Sequence, residues 1–350
     1  MNYQQPINNQ QYINTDFERC QTETKVYYEK KELKETINGI GALLIIATGV
    51  FFLFSLLFSV VYILFIDGHN FSKAYDSIPE NVLSGISNIV PIGLCGFFYI
   101  LFRKPKASEV LLFEKTGIKK LISVVAIGFT VCMLSNFATS LYLGVTSSVG
   151  VNLDLSYESA ESNTFLETVI YIISVAVVPS FSEEILFRGA ILGSLRKYGD
   201  GFAVIVSSFF FGLFHGNFVQ LPFAIIVGIV QGWAFVYTNS LLPAMLIHFC
   251  NNGFSVICDV LAVNSDKMNI DSIVVDYVTY GLVIMLAVVA LVSAAYLSKR
   301  DKSFLRLTKY DGILEKKEIK KALFTSPTVI IAFVMLSVET ITTHIPQWLL

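Results

Sequence analysis

Long apolar runs separated by short polar blocks make up most of this 350-residue chain. Each run reaches or approaches the roughly 20 apolar residues that a helix needs to cross a bilayer. The pattern therefore predicts an all-α fold, a polytopic membrane helical bundle of about eight or nine transmembrane helices. The fifth and sixth runs are short, which makes them the weakest candidates for full spans. The runs lie at about 39–66, 82–102, 120–145, 164–195, 202–218, 221–238, 241–262, 273–298 and 324–345.

The composition excludes a soluble globular protein. Hydrophobic residues make up 54% of the chain and charged residues 15%, with a mean hydropathy of +0.64, whereas soluble domains carry about 25% charge. The net charge of -2 gives no reason to expect a nucleic-acid partner. The five cysteines are scattered and lie mostly in apolar runs, so they predict neither a disulfide framework nor a Cys-x-x-Cys metal site.

Lysine and arginine collect in a few blocks that predict the orientation of the chain. The block 103–120 is rich in both, whereas the turn 67–80 is mainly acidic. Basic blocks favour the cytoplasmic side, and alternation of the spans then places 196–197 and 299–321 there too. We therefore expect a multi-pass protein of the plasma membrane with a cytoplasmic N-terminus, in contact with membrane lipids.

The first 38 residues differ from the rest in composition. They are polar, rich in Asn and Gln at the start and mixed in charge afterwards. Such a segment buries too little apolar surface to order itself. We expect 1–38 to form a disordered or surface tail that includes a short helix, and 39–350 to form a single transmembrane helical domain.

Two adjacent acids interrupt the apolar run 168–195. Glu183 and Glu184 lie within it, and Arg188 follows one helical turn after Glu184. Charged groups at membrane depth cost roughly 3 kcal/mol each and mark functional sites by default. Glu184 and Arg188 also have the spacing of an intrahelical ion pair, so a mainly structural role for Arg188 stays open. Pro179, one turn before the acids, frees backbone groups that must find other partners.

Histidine and asparagine follow at a similar depth. His215 lies in the fifth run, and His248 and Asn252 lie four residues apart in the seventh. With a rise of 1.5 Å per residue, Glu183 and His215 lie about 20 Å and His248 about 10 Å from the cytoplasmic ends of their helices. We therefore expect an acid and two imidazoles to face one another. Taken singly, a histidine here is more often a packing residue, and Asn252 alone would be a hydrogen bond between helices.

A carboxylate and two imidazoles in a dry cavity support hydrolysis by water. They can hold and deprotonate a water directly, or bind a divalent metal such as zinc through Glu183, His215 and His248. The amide of Asn252 can donate to an oxyanion. The pattern predicts a hydrolase that acts on a peptide or protein substrate. Two alternatives stay open: a non-proteolytic scaffold or immunity protein that binds through the same cavity, and a proton-coupled transporter.

Three motifs resemble those of the CPBP family, the intramembrane endopeptidases that include CAAX prenyl proteases and bacterial Abi proteins. They are P-x-x-x-E-E-x-x-F-R-G starting at Pro179, F-x-x-x-H ending at His215, and H-x-x-x-N ending at Asn252. The resemblance covers about 164–255, which we expect to be the catalytic core of the domain.

The resemblance implies a role for each site residue. Glu183 would activate water together with His215, while His248 and Asn252 would stabilise the oxyanion of the tetrahedral intermediate. The second glutamate and the arginine of the first motif would support and orient this set. The family likeness implies a CAAX prenyl protease-like endopeptidase and leaves its metal dependence open. The Asn-rich tail and Lys-rich loops favour bacteriocin or peptide maturation, or self-immunity, over prenyl processing.

Overall fold

The computed structural model describes residues 9–65, 86, 89–103, 113–153, 165–264 and 272–343. Within these residues the regular structure is helical, apart from one isolated antiparallel bridge between Phe113 and Ser240. The predicted all-α class is confirmed. The helical elements follow in chain order as α1 (Asn9–Phe65), α2 (Ile89–Leu94 followed by Cys95–Arg103), α3 (Ile118–Ser148), α4 (from Phe165–Tyr171 to Arg196–Tyr198), α5 (Asp200–Leu213), α6 (Gln220–Thr238), α7 (Leu241–Asn264), α8 (Ser272–Arg300), α9 (Lys316–Phe324) and α10 (Pro327–Thr342).

Six of the described helices are long and apolar enough to cross a membrane, and a seventh span results if α9 and α10, bent by 57°, are taken as one. The helices α2 and α5 are apolar but shorter. With 14 residues, α5 is about 21 Å long, whereas the hydrocarbon core is roughly 30 Å thick. The polytopic helical bundle is confirmed, with six or seven full-length spans within the described residues.

The polar N-terminal segment, predicted to be a disordered or surface tail with a short helix, is helical from Asn9 onward. The 57-residue helix α1 joins 9–38 to the first apolar run without a break, and 1–8 lie outside the described residues. Arg19 and Glu23 form an ion pair of 3.0 Å one turn apart. Extending an existing helix carries no nucleation cost, which explains why a segment that buries little surface is helical here. Its side chains at 17–32 are mostly exposed.

Helix α4 lies inside the bundle, in contact with α2, α5, α6 and α7. Its side chains Leu186, Phe187, Ile191 and Leu192 belong to the hydrophobic core. Helices α5 and α6 pack as a hairpin, α3 packs against α6, α7 and α8, and α1 packs against α10. The helix that carries the paired acids is therefore enclosed on several sides by other helices.

A glycine allows α6 to approach α5 closely beside the acids. A Cβ atom at Gly228 would lie 2.9 Å from the Cβ atom of Ser208 on α5, which is closer than packed side chains come. Small residues serve this purpose in membrane helices. The approach also places the carbonyl oxygen of Gly228 within 3.3 Å of Arg188 Nη2 on α4.

Charged side chains cluster at one end of the bundle. Lys120 on α3 forms an ion pair of 3.1 Å with Asp301, which follows α8. Arg196 on α4 pairs with Asp200 at 3.0 Å, and Asp200 accepts a hydrogen bond from the backbone N–H of Thr308 at 2.8 Å. This cluster is called the basic end below. The described parts of the basic blocks that the charge pattern assigned to one side thus lie at one end of the molecule.

Candidate active site

The paired acids lie on α4 between two π-helical segments. The α-helical turn Val178–Glu184 is preceded by Ile172–Val177 and followed by Ile185–Leu192, both π-helical. Such segments are frequent at functional sites. Consecutive residues of a helix point about 100° apart, so the two carboxylates have different surroundings. The side chain of Glu184 is 0% exposed and that of Glu183 is 13% exposed.

Glu184 is held inside the bundle by Arg188. Arg188 Nη1 donates to Glu184 Oε1 at 2.9 Å, and both side chains are fully buried. The other terminal nitrogen, Nη2, donates to Gln231 Oε1 at 2.6 Å and to the Gly228 carbonyl at 3.3 Å, both on α6. The guanidinium also lies 4.3 Å from the ring centroid of Phe211. Arg188 therefore neutralises Glu184 and fixes its direction.

His248 on α7 lies between the two carboxylates. Its Nδ1 is 2.9 Å from Glu184 Oε1, and its Nε2 is 3.8 Å from Glu183 Oε2. An ionised carboxylate only accepts hydrogen bonds, so Nδ1 carries the proton that it shares with Glu184. Consequently Nε2 accepts in the neutral ring and donates in the protonated ring. The structure thus brings Glu183, Glu184 and His248 into one cluster.

His215 is oriented by the end of its own helix. Its Nδ1 lies 2.8 Å from the carbonyl oxygen of Phe211, which belongs to the last turn of α5, where carbonyls lack partners within the helix. Because a carbonyl only accepts, Nδ1 is the donor and Nε2 remains an acceptor in the neutral ring. The ring of His215 also packs against Phe211, which contacts His248 as well. His215 therefore belongs to the same cluster and offers it a lone pair.

One phenyl ring contacts side chains from all three helices of the site. The ring of Phe211 packs edge-on against His215, with centroids 4.9 Å apart, and against His248 at 6.0 Å. It also meets Phe187 of α4 at 5.1 Å and lies beneath the guanidinium of Arg188. Phe211 is only 2% exposed. The two imidazoles are therefore held against one shared, dry wall.

Asn252 donates to the backbone of α4. Its Nδ2 lies 3.0 Å from the carbonyl oxygen of Val175, and its Oδ1 accepts from Asn251 Nδ2 at 3.1 Å. Val175 is four residues before Pro179, which has no N–H to offer that carbonyl. Asn252 thus provides a partner that the proline cannot provide, and it ties α7 to α4. This bond uses one of its two amide hydrogens and leaves the second for another acceptor.

The turn after His215 is held by the last described helix. Gly216 has a positive φ of 63°, which L residues rarely adopt. Thr343, at the end of α10, donates its Oγ1 proton to the Gly216 carbonyl at 2.9 Å. A Cβ atom at position 216 would lie 3.2 Å from Glu339 Oε1. Helix α10, far from the three motifs in the chain, therefore fixes the turn next to the second motif.

Glu183, His215 and His248 are the three residues that the sequence predicts could bind a metal. Within the described residues, no group of three His, Cys, Asp or Glu side chains is arranged to hold an ion. The Nδ1 atoms of His248 and His215 are both engaged, one with Glu184 and one with a backbone carbonyl. Both Nε2 atoms remain available, and a ligating histidine commonly donates its other ring N–H to a carboxylate or a carbonyl in this way, so a divalent metal at these three residues stays a prediction.

Gln231 is a member of this cluster that the sequence did not predict. It lies on α6 outside the three motifs and is 0% exposed. Its only signal in the sequence is one amide in a helix whose apolar window has a mean hydropathy of 1.7. An uncharged amide of this kind often bonds neighbouring membrane helices without further role. Its contact with Arg188 becomes visible only in the fold.

Comparison with known proteins finds relatives of the segment that carries this cluster. Residues 165–254 match the family model described as Type II CAAX prenyl endopeptidase Rce1-like. The "Membrane-embedded CAAX protease MroQ" of Staphylococcus aureus (strain USA300) is 33% identical over 99 residues, which are 26% of this chain and 40% of that relative. The chain thus matches less than half the length of this curated relative. No solved structure matches the chain significantly.

Proposed function

We infer, from the premise that residues 165–254 belong to the CPBP family of CAAX-type intramembrane proteases, that this chain is a membrane-embedded peptidase. The two matches confirm the resemblance predicted from the three motifs. The proposed activity is hydrolysis of a peptide bond by water inside the bundle. The observation that supports it most is the position of His248 between two carboxylates that differ in exposure.

Glu183 is the proposed general base. It is the acid whose side chain is partly exposed, whereas Glu184 is bound to both Arg188 and His248. Two carboxylates in different environments take different roles. A water beside Glu183 would find a second acceptor in His215, whose Nε2 carries no proton in the neutral ring. Two acceptors for the two water protons would orient a lone pair toward a substrate.

In the proposed reaction, the water oxygen attacks the scissile carbonyl carbon while Glu183 takes one of the water protons. The electron pair of the C=O bond moves to its oxygen, which gives a tetrahedral oxyanion. Collapse of this intermediate breaks the C–N bond, and Glu183 returns the proton to the leaving nitrogen. The products are a carboxylic acid and an amine.

His248 and Asn252 are the proposed donors to the oxyanion. With Nδ1 bound to Glu184, the protonated ring of His248 presents Nε2–H on the side of Glu183. The second amide hydrogen of Asn252, one helical turn further along α7, is another donor. Removing one donor of this kind typically lowers kcat by about 10²- to 10³-fold. In this scheme Glu184 and Arg188 orient the ring and do not react.

The proposed substrate is a peptide or protein segment that enters from the membrane. We also propose that the basic end and the N-terminus lie on the cytoplasmic side of a cell membrane, because Lys and Arg collect on that side of membrane proteins. A role in peptide maturation or self-immunity stays a prediction of the sequence, as does a divalent metal.

Glu183→Gln tests the proposal with the least change in shape. In proteoliposomes supplied with a fluorogenic peptide library, this variant is expected to lose at least about 10²-fold in turnover. Its thermal stability should stay near that of the wild type, because the carboxylate is partly exposed. Glu23→Gln, on the exposed part of α1, is the matched control and should keep full activity. Wild-type turnover by Glu183→Gln would refute Glu183 as the general base, whereas a wild type that cleaves no peptide would favour a non-proteolytic scaffold.

A further inference from the structure

A glutamine of α6 lies on the buried side of the site. Gln231 is 0% exposed, although an amide without a partner is costly in an apolar interior. It lies outside the three motifs and takes no part in the proposed reaction. Its surroundings therefore have to explain why an amide occupies this position.

The amide oxygen of Gln231 meets the guanidinium of Arg188. Arg188 Nη2 donates to Gln231 Oε1 at 2.6 Å, and the Gly228 carbonyl is a more distant second acceptor at 3.3 Å. Since a guanidinium only donates, the oxygen of the amide has to face it. Arg188 Nε has no hydrogen-bond partner within the described residues. The direction of the guanidinium therefore depends on what its two terminal nitrogens contact.

From Gln231, a chain of hydrogen bonds reaches the imidazole of His248. Arg188 Nη1 donates to Glu184 Oε1 at 2.9 Å, and the same oxygen accepts from His248 Nδ1 at 2.9 Å. The four side chains come from α6, α4 and α7, and none of the four residues is more than 3% exposed. In such a dry chain each bond constrains the next. The far end, His248 Nε2, lies 3.8 Å from Glu183.

A neutral acceptor suits this position better than an acid or an apolar residue. Glu184 and Arg188 form a pair with no net charge, and an amide adds an acceptor without adding charge. A carboxylate at position 231 would compete with Glu184 for the guanidinium. An apolar side chain would leave Nη2 with the Gly228 carbonyl alone. A carboxylate would draw the guanidinium away from Glu184, and the loss of an acceptor would leave the guanidinium less firmly held, so in either case the His248 ring would be less firmly oriented.

We propose that Gln231 is a positioning residue of the active site, which sets the direction of Arg188 and, through Glu184, of the His248 ring. Gln231 acts through this chain and does not touch the reacting atoms. Its effect on catalysis rests on the proposed peptidase function. Its effect on the His248 ring rests on the fold alone, so the two can be tested separately.

The kinetic test compares Gln231→Met with a control on the same helix. Met keeps the length of the side chain and removes the acceptor. In proteoliposomes, kcat for the best peptide substrate is expected to fall about 10- to 100-fold, as for a small displacement of catalytic groups, with KM little changed. Thr238→Val is the matched control, because Thr238 is 6% exposed and its hydroxyl donates to Ala234 of its own helix at 2.7 Å. It should keep wild-type kcat.

The spectroscopic test does not depend on activity. Nitrogen-15 NMR of the full-length protein distinguishes the two tautomers of a histidine ring, and the spectrum of His248→Gln identifies the signal among the four histidines. At a pH where the ring is neutral, His248 of the wild type should carry its single proton at Nδ1. In Gln231→Met, the signal should change to a mixture of tautomers, whereas Thr238→Val should leave it unchanged.

Gln231→Glu is a second variant, to be used if Gln231→Met does not fold. It keeps an acceptor but adds a charge, and it should also change the His248 signal by drawing Arg188 away from Glu184. The proposal is overturned if a folded variant of Gln231 keeps both wild-type kcat and the wild-type His248 signal. If the wild type cleaves no peptide, the peptidase function fails, and the His248 signal alone decides on Gln231.

Discussion

Arg188→Met is expected to destabilise the bundle strongly. The guanidinium and the Glu184 carboxylate lie 2.9 Å apart and are both fully buried. Removing one partner leaves a buried charge without compensation, which typically costs about 3–5 kcal/mol. Methionine keeps most of the apolar stem of arginine, so the loss comes mainly from the charge and not from a cavity. Glu184→Leu should cost a similar amount, because it leaves the guanidinium with neutral acceptors alone.

Changing both partners together should cost much less than the sum of the two single changes. In the double variant no uncompensated charge remains. The groups that lose a partner are His248 Nδ1 and Gln231 Oε1, which the pair had bound. Buried neutral groups of this kind cost about 1–3 kcal/mol each. On these figures the two changes are coupled by about 4 kcal/mol, somewhat above the roughly 3 kcal/mol that is the usual upper end for residues in contact.

Unfolding by SDS in mixed micelles measures these free energies. The fluorescence of Trp233, which stacks on Tyr237 with centroids 5.6 Å apart, reports on α6 beside the cluster. Arg19→Met is the matched control, because Arg19 also pairs with an acid one turn away, but the two side chains are 77% and 69% exposed. An exposed pair of this kind contributes little. Equal effects at positions 19 and 188, or strictly additive effects in the double variant, would refute the reasoning.

Three further predictions concern a turn, the basic end and the orientation. Gly216→Ala should cost about 1–2 kcal/mol of stability, because φ is 63° there and a neighbouring carboxylate lies 3.2 Å from the added Cβ. Gly144→Ala, with open space around the added Cβ, should be neutral or stabilising, and equal losses would contradict this account. Hydrogen bonds from Ser303, with a smaller contribution from Lys and Tyr side chains, hold the pKa of Asp301 below its usual range. The ionised Asp301 carboxylate therefore contributes to the free energy of unfolding above about pH 4, and this contribution is lost as the pH falls further. Below that pH, the stability of the wild type should decline more than that of Asp301→Asn. Cys20 is exposed, and a membrane-impermeant maleimide should label it in inverted vesicles; labelling of intact cells would reverse the orientation.

The site residues could be predicted because charged and polar groups stand out in apolar runs. Glu183 and Glu184 are conspicuous for this reason, and the depth estimate placed His215 and His248 at levels near theirs. The structure places both acids within 3.8 Å of His248, and it places both histidines against Phe211. Their individual environments could not be predicted, since the different exposure of two adjacent acids depends on which neighbours α4 meets.

Other features depend on contacts that leave little trace in a single sequence. Gln231 looks like an ordinary amide in an apolar helix until α6 is packed against α4. The effect of Pro179 was expected, but the partner of Val175 proved to be Asn252, a residue 77 positions away. The N-terminal segment 9–38 has the composition of a disordered tail, yet it is helical because it continues an apolar helix.

The distribution of the cluster over three helices has a consequence for the synthesis of the protein. Glu184 and His248 are 64 positions apart, and Phe211 lies between them in the chain. Ribosomes deliver these residues in order, so a nascent chain that has inserted α4 and α5 holds the acids without the imidazole of α7. The proposed hydrolysis therefore cannot start on other proteins at the insertion machinery before α7 has joined the bundle. Chain connectivity alone keeps the protein latent during its own biogenesis.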